Sequence, residues 1–118
     1  MDEFPLIYTG IVQRGERRGS ALGFPTMNIS FNDLEISGIY AARVIVGSVT
    51  YDAVVYADQK RKLLEAHLLD FSGDLYGQFI TIELLHKIRD DKRFESDGVL
   101  QCAIADDVGA IRKYFKMK

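Results

Sequence analysis

Two stretches of the chain combine residue types that suit phosphate and metal-ion chemistry. The first, residues 10–23, carries four glycines with arginines between them. Backbone N–H groups bind phosphate oxygens where glycine lets the backbone approach closely, and arginine adds charged donors. The standard nucleotide-binding motifs are absent, because no Gly-Lys-Ser/Thr follows and no G-x-G-x-x-G opens a helix. Composition alone therefore leaves two interpretations open: a phosphate-binding loop, or an irregular loop with solvated arginines.

Directly after this loop, the sequence Pro25-Thr26-Met27-Asn28 offers two hard oxygen donors. Residues two apart in an extended segment lie on one face, so the Thr26 hydroxyl and the Asn28 carbonyl point the same way. Mg²⁺ prefers such oxygen ligands and usually shares the phosphate oxygens of its substrate. A threonine and an asparagine at this spacing also occur in turns that bond their own backbone, so that alternative stays open.

The second stretch, LLEAHLLDF, provides a carboxylate on a predicted strand. Strand alternation places Glu65 and His67 on the same face. A carboxylate held on a strand beside a hydroxyl group can accept its proton as the hydroxyl attacks phosphorus. The alternatives are a surface glutamate and a histidine at the edge of the core. His86 and Cys102 lie far along the sequence from His67 and give no zinc-ligand spacing.

A highly charged segment, Lys87 to Ser96, links the last predicted strand to a helical tail. Arg89 and Lys92 offer donors to a polar ligand, and Phe94 offers a ring that can stack on a flat one. Both a solvated connection and a flap over a ligand fit this composition.

The elements that must position these residues are short strands followed by a helix. Alternating apolar segments separated by turn signals are typical of an all-β barrel, which we place at about residues 6–88 of a single domain, 1–118. The pair Gly47-Ser48 predicts a tight hairpin. The predicted strands run from about Leu6 to Arg14, Met27 to Phe31, two within 38–56, Leu63 to Asp70 and Gln78 to Ile88.

Apolar residues recur at helical spacing after Ser96, which suits an N-cap. This pattern predicts a helical segment at about 97–115. Gly98 and Gly109 are weak helix formers, so the segment is expected to form either one helix or two.

The composition limits the class of protein. A chain of 118 residues can bury one sizeable core, and its formal net charge of -2 argues against attachment to nucleic acid by bulk charge. The single cysteine fits a reducing compartment. No apolar run approaches the ~20 residues of a membrane span, and the N-terminal residues lack the basic region of a secretory signal. We therefore expect a cytoplasmic protein.

Taken together and in this order, the motifs resemble those of the riboflavin kinase family. The likeness runs from about Ile7 to Phe115. It implies an all-β fold, a six-stranded antiparallel Greek-key β-barrel closed by one or two C-terminal helices. It also implies transfer of the ATP γ-phosphoryl group to the 5′-hydroxyl of riboflavin, with Mg²⁺, to give FMN and ADP. The motifs are GxVxxGxxRGS at 10–20, LGFPTMN at 22–28, GIY at 38–40, EAHLLDFSGDLYG at 65–77 and IRxxKxFxS at 88–96.

The resemblance implies a role for individual residues. Glu65 would be the catalytic carboxylate, and Thr26 and Asn28 would hold Mg²⁺. The implied nucleotide-binding residues are Gly15, Arg18, Gly19, Ser20, Thr26, Leu68, Asp70 and Tyr76. The implied flavin-binding residues are Arg89, Lys92 and Phe94.

Residues 56–62, YADQKRK, differ from the family, whose loop at this place usually carries glycine and proline. This difference leaves a second hypothesis open, a non-catalytic flavin- or nucleotide-binding module of the same fold. A third hypothesis, an oligonucleotide-binding barrel, is disfavoured by the acidic pI of about 5.6. The adenylyltransferase domain of bifunctional family members is not predicted, and hence neither is FAD synthesis. We expect small-molecule substrates, no nucleic-acid or membrane partner, and a monomer.

Overall fold

The computed structural model describes residues 4–13 and 23–117. Within these ranges, six strands form one antiparallel sheet in the order β1-β6-β3-β4-β5-β2, and one helix follows. The elements are β1 (Leu6–Ile11), β2 (Met27–Ser30), β3 (Gly38–Val46), β4 (Val49–Asp58), β5 (Leu63–Leu68), β6 (Phe79–Arg89) and α1 (Asp97–Lys116).

The two edge strands, β1 and β2, approach each other and nearly close the sheet into a barrel. The Gln13 N–H donates to the Asn28 carbonyl at 2.8 Å, and Gln13 Nε2 donates to Ser30 Oγ at 2.7 Å. Gly10 permits the approach, since a Cβ there would lie 3.1 Å from Cβ of Ile29. Three pairs of neighbouring strands are not consecutive in the chain, β1–β6, β3–β6 and β2–β5, and they provide the crossovers of the Greek-key arrangement. The predicted six-stranded barrel is confirmed.

Alternate residues of the strands fill the barrel interior. On β6, Ile80, Ile82 and Leu84 are fully buried in the core, whereas Thr81 and Glu83 lie on the other face. The hairpin predicted at Gly47-Ser48 joins β3 to β4, with Val46 paired to Val49. The alternation read from the sequence therefore gives the inward and outward faces of these strands.

α1 packs on the outer face of the barrel wall. Outward-facing Ile39 and Ala41 of β3 and Val54 of β4 form a second buried cluster with Ile111 of the helix. This face of the barrel is therefore divided: part of it is covered by the helix, and the part beside it is left open.

α1 is a single helix that begins after Ser96, whose Oγ accepts a hydrogen bond from the Val99 N–H at 3.2 Å. It continues through Gly98 and Gly109, so the one-helix form of the prediction is right. Packing of the apolar stripe outweighs the weak helix propensity of the two glycines. No helix within the described ranges is long and apolar enough to cross a membrane.

Gly38 starts β3 at a point where no side chain fits. Its φ is +98°, and a Cβ there would overlap the carbonyl oxygen of Arg89 on β6. Gly47 also has a positive φ, +60°, but a Cβ there would meet nothing within 4 Å. Gly47 is therefore required only for its backbone conformation, whereas Gly38 is required both for its conformation and for the lack of space for a side chain.

Gly38→Ala should lower the free energy of unfolding more than Gly47→Ala does. Left-handed backbone costs a non-glycine residue about 1–2 kcal/mol, and only Gly38→Ala adds overlap with the Arg89 carbonyl, worth about 1–3 kcal/mol more. Urea denaturation of both variants measures the difference. Equal losses would contradict the close approach of β3 and β6.

Candidate active site

An open pocket lies on the outer face of the barrel. Its cavity volume is about 370 Å³, within the usual range for small-molecule sites. One wall is formed by residues just before β2 and by the outward side chains of β3, β4 and β5. The facing wall is formed by α1 and the 90–96 loop, which joins β6 to α1.

Five of the predicted site residues line this pocket. They are Thr26 before β2, Glu65 on β5, Arg89 at the end of β6, and Lys92 and Phe94 in the 90–96 loop. The segments predicted to serve metal binding, proton transfer and flavin binding thus face one cavity. Their individual roles stay predictions.

Asn28 lies beside the pocket as the cross-strand neighbour of Glu65. Opposed residues in an antiparallel pair have Cβ atoms about 4.5–5.5 Å apart on the same face of the sheet. Asn28 is 1% exposed, and within the described chain its Oδ1 has no hydrogen-bond partner. Because a buried carbonyl oxygen is normally hydrogen-bonded, this atom is a candidate ligand for a cation or a donor group.

The hard-oxygen character of this edge suits Mg²⁺. Among the residues that the structure describes, no group of three or more His, Cys, Asp and Glu side chains is arranged to hold a metal ion. A cation here would bind hydroxyl and amide oxygens together with oxygens of the ligand, as Mg²⁺ does with phosphates. The Thr26 hydroxyl and Asn28 Oδ1 are donors of that kind, so the residues fit the ion.

The turn between β4 and β5 supplies the polar surroundings of Glu65. The Glu65 side chain is 13% exposed, and its Oε2 lies 3.8 Å from Nη1 of Arg61. The same nitrogen lies 3.9 Å from Oδ2 of Asp58. Tyr56 is the neighbour of Glu65 across the β4–β5 ladder. The 56–62 segment, which differs from the family pattern, therefore brings a cation, an acid and a phenol to the predicted base.

Tyr56 also connects the barrel wall to the 90–96 loop. Its hydroxyl donates a hydrogen bond to Oδ2 of Asp91 at 2.8 Å. Burial, followed by this hydrogen bond, raises the pKa of Tyr56 well above its ordinary value. The phenol is consequently a neutral donor throughout the physiological pH range.

His67 holds the backbone just before Thr26. Its Nδ1 lies 2.8 Å from the carbonyl oxygen of Pro25, and since a carbonyl only accepts, Nδ1 is the donor. The His67 ring also packs edge-on against Phe24 at 5.5 Å between centroids. Because His67 and Glu65 are alternate residues of β5, one strand positions both the carboxylate and the Thr26 edge.

Arg89, Phe94 and Lys92 form one cluster with the helix. Arg89 Nε and Nη2 donate to the two carboxylate oxygens of Asp107 at 2.9 and 2.8 Å, and these hydrogen bonds raise the pKa of Arg89. The Phe94 ring centroid lies 5.6 Å from Cζ of Arg89 and 5.5 Å from Nζ of Lys92. The predicted flavin-binding residues are therefore neighbours, and the guanidinium already has a partner.

Three predicted nucleotide-binding residues do not line this pocket. Leu68 is 4% exposed and belongs to the barrel core, and Tyr76 packs against that core. Asp70, just after β5, has φ +58° and pairs with Arg112 of α1, with Nη1–Oδ2 and Nη2–Oδ1 distances of 3.1 and 3.0 Å.

Four further predicted nucleotide-binding residues, Gly15, Arg18, Gly19 and Ser20, lie outside the described residues. The described chain stops at Gln13, which is bonded to Asn28, and resumes at Gly23, next to the pocket-lining Phe24.

Sequence reasoning missed Tyr56, Asp58, Arg61 and Asp107 as parts of the site. The outward positions of Tyr56 and Asp58 follow from the alternation of β4. Asp107 interrupts the apolar stripe of α1, and a carboxylate at such a position indicates a buried partner. Arg61 carries no comparable signal, since its direction depends on the shape of a turn.

A family model and a curated relative indicate the same family for this chain. A family model described as "Flavokinase: Riboflavin kinase" matches residues 3–115. The bifunctional riboflavin kinase/FMN adenylyltransferase of Haemophilus influenzae is 36% identical over 115 residues, covering 90% of this chain and 37% of that protein. The chain thus spans little more than a third of that relative's length.

Two solved structures share the fold. The riboflavin kinase from Trypanosoma brucei superposes with a TM-score of 0.69 at 25% identity, over 98% of this chain and 83% of that one. A Streptococcus pneumoniae chain described as a macrolide-efflux protein superposes with a TM-score of 0.79 at 27% identity, over 92% of this chain and 38% of that one.

Asn28→Leu should leave the free energy of unfolding within about 1 kcal/mol of the wild type, or raise it, in ligand-free buffer. An apolar side chain of similar size removes a buried oxygen that has no hydrogen-bond partner among residues 4–13 and 23–117, and removing such a group is nearly neutral. Asn28→Asp is the contrasting variant, because it buries a charge opposite Glu65 and should be clearly destabilised. Urea denaturation measures both. A loss above about 2 kcal/mol in Asn28→Leu would show that the Asn28 amide makes hydrogen bonds that stabilise the fold.

The pair formed by Asp70 and Arg112 predicts a pH dependence. Hydrogen bonds from Arg112 hold the pKa of Asp70 below its usual value. A carboxyl with a depressed folded pKa adds stability above its unfolded pKa, and that stability is lost as the pH falls through the folded value. Near neutral pH, the Tm of the wild type should therefore be higher than that of Asp70→Asn, and this difference should vanish in strong acid. Thermal unfolding at a series of pH values measures both Tm values. Arg112→Gln should behave like Asp70→Asn, and a pH-independent difference would contradict the pairing.

Proposed function

Because this chain belongs to the riboflavin kinase family, we propose that it transfers the γ-phosphoryl group of ATP to the 5′-hydroxyl of riboflavin, giving FMN and ADP. The observation that carries the proposal is the shared pocket of Thr26 and Glu65, with Asn28 directly opposite Glu65 on the neighbouring strand. Phosphoryl transfer needs a positioned hydroxyl acceptor, a nearby base and neutralisation of phosphate charge. The outer face of β2 and β5 offers groups suited to the last two.

Glu65 is the proposed base. It would accept the proton of the flavin 5′-hydroxyl as the hydroxyl oxygen attacks phosphorus. A strand holds its backbone, and the side chain is mostly buried beside Arg61. A base accepts a proton as the ionised carboxylate, and Arg61 places an opposite charge 3.8 Å from it.

Thr26 and Asn28 are the proposed Mg²⁺ ligands. When bound, Mg²⁺ neutralises the phosphate oxygens that gain charge during transfer. His67 supports this edge by bonding the carbonyl of Pro25. Among the described residues Asn28 Oδ1 has no hydrogen-bond partner, and this supports the assignment because its lone pairs are available to a cation.

The remaining roles follow the family resemblance. Phe94, Lys92 and Arg89, which line the pocket, would lie next to the flavin. Gly15, Arg18, Gly19, Ser20 and Thr26 would bind the nucleotide phosphates, and Leu68, Asp70 and Tyr76 would lie near its base. Monomeric state and cytoplasmic location stay predictions.

Glu65→Gln should lower kcat for FMN formation by about 10²–10⁴-fold, the usual worth of general-base help. Glu83→Gln is the matched control, since Glu83 is a strand glutamate on the outer face of β6, opposite Arg43 and away from the pocket. Chromatographic detection of FMN from riboflavin and Mg-ATP measures both.

Full activity of Glu65→Gln would remove Glu65 from the role of base. Tight riboflavin binding by the wild type with no FMN formed would replace the kinase proposal with the non-catalytic binding module.

A further inference from the structure

The Arg89 guanidinium is held by hydrogen bonds within the protein. It makes two hydrogen bonds to Asp107 and one, from Nη1, to the Asp90 carbonyl at 3.1 Å. Three of the five N–H groups of an arginine are thereby used. The side chains of Asp107 and Arg89 are 7% and 24% exposed. Turning Arg89 toward a ligand would leave the Asp107 carboxylate buried and unpaired, which is strongly unfavourable.

The contacts of Arg89 join three parts of one pocket wall. Asp107 belongs to α1, Asp90 begins the 90–96 loop, and Phe94 lies near the end of that loop with its ring over the guanidinium. The fork of an arginine fixes direction as well as distance, because two parallel bonds to one carboxylate set the plane of the group. The orientation of the Phe94 ring is thus tied to the helix.

We propose that Arg89 and Asp107 are positioning residues, which act on the flavin by holding the Phe94 ring at the pocket wall for stacking on the planar ring system. The inference rests on the proposed function, which supplies the flavin. It differs from a direct contact between Arg89 and flavin in one respect: the effect of Arg89 passes through Phe94.

A double-mutant cycle separates the two roles. Riboflavin affinity is measured by quenching of its fluorescence, without turnover. Phe94→Ala should weaken binding by about 3- to 10-fold, the worth of one aromatic stack. Arg89→Lys, which keeps the charge but loses the fork, and Asp107→Asn should each weaken it similarly, with KM for ATP unchanged. In the Phe94→Ala background, Arg89→Lys should add less than about 2-fold. A direct flavin ligand would keep its full effect there, and that result overturns the proposal.

A second measurement needs no flavin. The sequence has no tryptophan, so Phe94→Trp introduces a single indole over the guanidinium. Its fluorescence anisotropy should fall when Arg89→Lys or Asp107→Asn is added, while far-UV circular dichroism stays that of the folded protein. Unchanged anisotropy overturns the proposal. If Asp107→Asn does not fold, Arg89→Lys alone carries the test.

The matched control is Arg112→Lys, which weakens an exposed two-bond pair on the same helix. It should change neither the anisotropy nor the riboflavin affinity, and a change as large as that of Arg89→Lys overturns the proposal. A further outcome is that the wild type fails to bind riboflavin while Arg89→Lys still lowers the anisotropy of the Phe94→Trp protein. That combination supports the positioning of Phe94 by Arg89 and overturns the proposed function.

Discussion

The register in which β2 pairs with β5 is the constraint on which both the core and the site depend. The residues of β2 and β5 that face the barrel interior include Met27, Ile29, Leu64 and Ala66. Asn28 then stands opposite Glu65 on the outer face. A slip of β5 by one residue would turn Glu65 inward, because side chains alternate along a strand. Burying the Glu65 charge in an apolar core is very unfavourable. The requirement for an apolar barrel interior therefore also places the Asn28 amide and the Glu65 carboxylate opposite each other.

The two walls of the pocket are held by different kinds of interaction. The wall made of β3, β4 and β5 is held by backbone ladders and by the core behind it. The wall made of α1 and the 90–96 loop is held by the apolar cluster around Ile111 and by two side-chain contacts, the Arg89–Asp107 pair and the Tyr56–Asp91 hydrogen bond. Elements with few buried contacts and exposed hydrogen bonds open more readily than core strands. The 90–96 loop is therefore the more adaptable part of the pocket, and the wall that carries Glu65 is the more rigid one.

Most of the fold could be predicted from the sequence, because alternation and turn residues are local signals. The number of helices could not, since weak propensity at Gly98 and Gly109 competes with packing that depends on the barrel. For the site, motif order and the resemblance indicated Thr26, Glu65 and Phe94, and the structure brings them to one pocket.

The supporting contacts of the site were beyond sequence reasoning. Arg89 meets Asp107 only because α1 docks on the barrel wall. Arg61 reaches Glu65 through a turn in which Lys62 adopts a left-handed φ of +55°. Such pairings depend on three-dimensional placement and leave little trace in composition or periodicity.

Because the pocket lies on the outside of the barrel, the residues that form the core and the residues that line the pocket are different sets. On β5, the inward leucines and alanine belong to the barrel core, and the outward Glu65 and His67 line the pocket. Selection can therefore act on one set of positions while the other is preserved. Relatives with this arrangement can change or lose the residues of the pocket and still keep the same barrel fold.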